Sequence, residues 1–151
     1  MNTITAAPGV SIKGLLIGFI GGFVATLIFH QLAFVGLNAA GITKYALYNM
    51  TAVPPLNVPR IVSLAFWGGV FGLFYPFLQA RFGRGLVFLL VGLIFGAIVP
   101  TLTSWTLVNA LKGQAIGPPN GWAMPLIAVG PIVNGMWGLG TALFVAMFNR
   151  R

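Results

Sequence analysis

Four apolar runs, at 14–37, 61–80, 85–108 and 124–148, constrain this chain more than any other feature. Each approaches or exceeds the roughly 20 mainly apolar residues that a helix needs to cross about 30 Å of hydrocarbon. Strands of a membrane barrel are about half that length and alternate polar with apolar residues. These runs do neither. An unpaired backbone N–H or C=O in hydrocarbon costs several kcal/mol, so an unbroken helical ladder is the structure such a run adopts. The expectation is an all-α integral membrane protein, one domain over 1–151 with four transmembrane helices. The apolar core of the first run is longer than the roughly 7–15 residues of a secretory leader, so it is read as a retained helix.

Charge supports that class and removes many others. Only 5% of the 151 residues are charged, against about 25% in an average soluble domain. Asp and Glu are absent, and the eight charges are all positive: Lys13, Lys44, Arg60, Arg81, Arg84, Lys112, Arg150 and Arg151. Without a carboxylate side chain there is no hard-cation site, no glycosidase pair, no Ser-His-Asp triad and no acidic proton relay. Cysteine is absent as well, and His30 is the single histidine. One imidazole falls short of the three or four ligands of a protein zinc site. The expectation is no enzyme and no metal centre. The cations sit at the ends of apolar runs rather than on one face, which argues against nucleic acid and for topology signals and contacts with anionic lipid. Their counterions must come from lipid headgroups, the C-terminal carboxylate, solutes or a partner chain.

Cytoplasmic loops of multi-pass proteins are enriched in Lys and Arg. With the N-terminus inside, Lys13, Arg81, Arg84, Arg150 and Arg151 fall inside, and Lys44, Arg60 and Lys112 fall outside. Both termini are therefore expected to be cytoplasmic. The two longer loops, containing PPLNVP and GPPNGWAMP, fall outside. Their prolines fix φ and predict stiff connections.

The halves of the chain resemble each other. LLIGFIGGFVATL aligns with LLVGLIFGAIVPT, pairing Gly18 with Gly92 and Gly22 with Gly96. FWGGVFGLF aligns with MWGLGTALF, pairing Trp67 with Trp137 and Gly68 with Gly138. Apolar sequence of low complexity matches by chance readily, so a duplicated helix hairpin stands beside coincidence as the explanation. A real duplication would be a parallel 2+2 repeat about an axis along the membrane normal.

On the first helix Gly14, Gly18, Gly22, Thr26 and His30 recur every four residues, and on the third Gly92, Gly96, Pro100 and Ser104 do so. A four-residue step drifts about 40° on a 3.6-residue helix, which makes an inclined ridge. Lipid gives helices no hydrophobic reason to associate, so close backbone contact over small residues must hold them together. Gly68 and Gly72 on the second helix, and Gly138 on the fourth, offer matching surfaces.

The ridge leads to His30, which then also tends to face protein. His30, Gln31, Arg60, Ser63, Ser104 and Asn134 belong to the half of the bundle nearer the long loops. They are read as a polar pocket opening outward, with Trp67 and Trp137 beneath it. Three uses of this pocket compete: hydrogen bonding between helices, binding of a small polar solute or anion with help from Arg60, and ligation of a haem or chlorophyll metal by His30.

PPLNVPR followed by SLAFWGG, with HQ before and GMWGLGTAL after, is similar to small four-span proteins of the bacterial inner membrane. The resemblance implies a bacterial inner-membrane location and supplies no activity. The functional expectation is an accessory or scaffold subunit that binds other membrane subunits, or further copies of itself, and anionic lipid. The alternative is a small oligomeric channel or carrier for an anion or neutral solute.

Overall fold

The computed structural model describes residues 9–149. Arg150 and Arg151, used in the topology argument, lie outside the described residues. Four helices are long and apolar enough to cross a membrane: α1 Ile12–Ala39, α2 Arg60–Phe82, α3 Leu86–Leu111 and α4 Leu126–Phe148. The α1–α2 loop also carries a short antiparallel pair, β1 Ala52–Val53 and β2 Val58–Pro59. Both long loops lie at one end of the bundle, called the loop end below. Ser11 starts α1 by accepting a hydrogen bond from Gly14 N at 3.0 Å, which satisfies one of the free N–H groups of the first turn. The odd-numbered helices stop alike. Gly41 (φ 71°) and Gly113 (φ 65°) follow α1 and α3 in a backbone region that favours glycine. Beyond them Ile42 N donates to Leu37 O and Gln114 N to Asn109 O.

Helices α1 and α2 meet backbone to backbone, as do α3 and α4. A Cβ on Gly22 would collide with the Gly68 carbonyl, and one on Gly72 with the Gly18 carbonyl. In the other pair a Cβ on Gly96 would collide with the Asn134 carbonyl, and one on Gly138 with the Gly92 carbonyl. Close approach of this kind maximises dispersion between helices where burial of apolar area drives nothing. Pro76 lacks the N–H that would bond the Gly72 carbonyl, and α2 is interrupted at 73–74. A Cβ on Gly18 would lie 2.9 Å from the Pro76 ring, so the interruption also packs on a glycine.

One polar aromatic side chain ties each hairpin to the other. Trp137 Nε1 on α4 donates to Gly22 O on α1 at 2.9 Å. Tyr75 Oη on α2 donates to Gly92 O on α3 at 2.8 Å. Both side chains are buried, and Phe88, Ala142 and Val145 fill the space around them. Trp67 corrects the sequence reading. It does not lie beneath a polar pocket but is 55% exposed on the outside of the bundle. The reason is tertiary: α4 is the most enclosed helix, so its tryptophan has neighbours on α1 and α2, whereas that of α2 meets the edge of Phe66 on its own helix and stays half exposed.

At the opposite end Asn149 Nδ2 donates to Gln79 Oε1 at 2.6 Å, and Arg84 donates to Ala146 O. Among the described residues no buried side-chain N or O lacks a partner. The outer faces are apolar, with Ile20, Leu90, Ile94 and Ile98 each about half exposed.

Candidate functional site: a cleft at the loop end

The π-helical turn Thr26–His30 opens α1 just before the site. The sequence reading carried the four-residue ridge straight through this point. A π turn holds more residues than an α turn, so the drift of the ridge changes here and His30 is set by the wider turn. Thr26 Oγ1 donates back to Gly22 O at 2.9 Å. A second π turn, Ser104–Val108, lies at the same end of α3. His30 and Ser104 thus both occupy π turns, and both line one cleft of about 560 Å³.

Four of the residues expected in a pocket meet there: His30, Arg60, Ser104 and Asn134. Asn134 is held by donating from Nδ2 to Thr101 Oγ1 across α3 and α4, at 2.9 Å. The others are placed differently. Ser63 and Trp67 on α2 do not line the cleft. Gln31 is buried behind His30 rather than in the wall. Trp137 lies deeper, at the level of Gly22.

Gln31 acts through His30. Its Oε1 accepts from Tyr48 N at 3.1 Å, which turns its amide nitrogen toward His30 Nδ1 at 3.3 Å. An amide NH₂ only donates, so Nδ1 accepts and the proton of the neutral ring sits on Nε2. Nε2 has no protein partner among the described residues, and the ring lines the cleft, so its N–H is free to meet a ligand there. This tautomer does not suit haem or chlorophyll ligation. A metal would need the Nε2 lone pair, with Nδ1 protonated and donating, and Gln31 meets Nδ1 with a donor. In ¹⁵N NMR we expect His30 to show a pyrrole-type Nε2 and a pyridine-type Nδ1. Gln31→Leu should weaken that preference and raise the share of rings protonated on Nδ1. A protonated Nδ1 in the unaltered protein would disprove the network.

The long loops are strapped into place over the cleft. Asn38 accepts from Tyr45 N through Oδ1 at 2.9 Å and donates from Nδ2 to Tyr45 O at 2.9 Å. Thr43 Oγ1 donates to the same Oδ1 at 2.6 Å. Tyr48 adopts a positive φ of 48°. Its N–H bonds Gln31, and its Oη donates to Leu27 O at 2.8 Å, so two contacts hold the uncommon conformation. Arg60 N donates to Thr51 O at 2.9 Å. On the other side Asn109 Nδ2 donates to Ala115 O and Gly117 O. Tyr45 stacks on Phe34, centroids 3.8 Å apart, and Phe34 meets the edge of His30 at 5.3 Å.

Lys44 joins Arg60 in the lining, so the cleft carries two cations and no anion. Burial raises the Tyr45 phenol above its ordinary range and the Arg60 guanidinium opposes that shift, which puts the cation within electrostatic reach of the ring. Sequence reasoning missed Lys44, which it used only as a topology signal, and Asn38, whose role depends on the loop folding back. The paired Asn-and-Gly endings of α1 and α3 were a visible signal for the second.

Fold and cleft together define the class: an all-helical, multi-pass membrane protein with four candidate spans. No protein family, curated protein or solved structure matches the chain.

Proposed function

We propose that the chain is a non-enzymatic protein of the bacterial inner membrane, an accessory or scaffold subunit that binds membrane partners and anionic lipid. Both termini are cytoplasmic in this reading, and the cleft opens on the outer face. The observation that carries it is the filled middle of the bundle. Tyr75, Phe88, Trp137 and Ala142 occupy it, and the Tyr75 hydroxyl and Trp137 indole N–H are spent on ties between helices. A single copy so built offers surfaces rather than a conduit or a set of reacting groups. The uncompensated positive charge supports the lipid part of the reading.

The duplicated hairpin belongs to the same proposal. Gly18 opposes Gly72 as Gly92 opposes Ala142, and Gly22 opposes Gly68 as Gly96 opposes Gly138. Those pairings correspond under the sequence alignment of the halves. A parallel 2+2 bundle also supports the second reading, an oligomeric channel or carrier, in which any route runs between copies.

Purification in mild detergent is expected to bring down other membrane proteins in fixed stoichiometry. A homogeneous homo-oligomer that renders liposomes permeable to small anions would overturn the subunit reading. Reporter fusions that place either terminus outside would overturn the orientation.

A further inference from the structure

We infer that the loop-end cleft is a binding site for a phosphate oxyanion, carried by a lipid headgroup or supplied as free phosphate. This rests on the lipid-binding half of the proposed function and gives it an address; the partner-binding half is tested separately by co-purification.

Size, charge and preorganisation each point there. A cleft of about 560 Å³ falls within the usual range of small-molecule sites, about 300–1,000 Å³. Its lining grades from cationic to neutral donors. Lys44 and Arg60 come from the loop and the first residue of α2, whereas His30, Ser104 and Asn134 come from the helices below. An oxyanion entering between the loops meets the ammonium and guanidinium first. It then meets the His30 Nε2 proton and the Ser104 hydroxyl. Arg and Lys recognise phosphate by complementary means, a planar fork and a mobile point charge. Elsewhere such cations are commonly neutralised by neighbouring acids, but this chain has no Asp or Glu to do so.

The His30 donor is fixed before any ligand arrives. The chain of bonds from Tyr48 N through Gln31 to His30 Nδ1 commits Nε2 to donating. Phe34, itself stacked on Tyr45, holds the ring from one side. The Asn38 clamp holds the loop that carries Lys44. A site whose donors are ordered in advance loses little freedom on binding.

The test uses the full chain in detergent, with two probes. Inorganic phosphate is titrated by calorimetry, and phosphatidylglycerol binding is counted by native mass spectrometry. The variants are the double substitution Lys44→Gln with Arg60→Gln, the single His30→Gln, and Lys112→Gln as control. Lys112 lies at the same end, is exposed, and does not line the cleft. Lys44 and Arg60 are exposed too, so unchanged elution and melting are expected for the double variant. At least one probe is expected to lose tenfold or more in affinity in the double variant, and severalfold in His30→Gln, with Lys112→Gln unchanged. Loss confined to phosphatidylglycerol identifies a headgroup; loss confined to inorganic phosphate identifies the free ion. The proposal is overturned if neither probe binds the unaltered chain, or if Lys112→Gln weakens binding as much as the double variant.

Discussion

Gly22→Val is expected to prevent α1 from seating on α2. The added Cβ would collide with the Gly68 carbonyl and crowd the Gly68 carbonyl carbon and Gly72 Cα. These are backbone atoms, which cannot turn aside as a flexible side chain can. Overpacking in a well-filled core typically costs ~1–3 kcal/mol and sometimes more; a backbone-on-backbone clash belongs at or above the top of that range. The damage reaches further, because Gly22 O accepts both Thr26 Oγ1 and Trp137 Nε1. Separating α1 from α2 also disturbs the tie to α4. Gly36→Ala is the matched control on the same helix. Nothing lies within 4 Å of a Cβ there, so the intrinsic preference of alanine for helix, up to ~1 kcal/mol, is the main term. Melting followed by circular dichroism in detergent should show a large loss for Gly22→Val and none for Gly36→Ala. Equal behaviour of the two would mean that α1 and α2 do not meet through Gly22.

The two aligned tryptophans should respond in opposite ways. Trp137→Ala empties a site that is 3% exposed, beside Tyr75 and Phe71, and leaves Gly22 O without its indole donor. In water-soluble cores such a truncation costs about 3–5 kcal/mol. Lipid solvates apolar groups when helices separate, so the transfer part of that cost falls away and about 2–4 kcal/mol remains for lost packing and the hydrogen bond. Trp67→Ala removes a half-exposed ring and should cost less than ~1 kcal/mol. Denaturation of both variants in one detergent measures the contrast directly. Comparable losses would mean that the two hairpins are enclosed equally, contrary to the packing of α4.

How much of the site was legible follows the range of the forces involved. His30, Ser104 and Asn134 were found from depth along apolar runs, since a polar residue in such a run turns toward protein. Arg60 was found because it opens a span. Gln31 and Lys44 were misjudged because their roles arise where residues 43–48 return across α1, through bonds such as Tyr48 N to Gln31 Oε1. That return is a contact between segments 17 residues apart, and periodicity within one helix carries no trace of it. The π turns were invisible for a related reason. Their residues, TLIFH and SWTLV, differ little in composition from the helix around them.

By itself the sequence determined the class and the four helical spans. Apolar runs of span length must satisfy their own backbone groups in hydrocarbon, and the helix does this without reference to any other part of the chain. The absence of acids determined, equally locally, which chemistry has no groups to perform it. Only the tertiary structure decided which tryptophan is enclosed, which glycines meet which carbonyls, and which polar groups share the cleft. Each of those depends on the neighbours a helix acquires. In lipid, where apolar side chains are as well solvated outside the bundle as within it, close backbone packing and a few cross-helix hydrogen bonds select those neighbours.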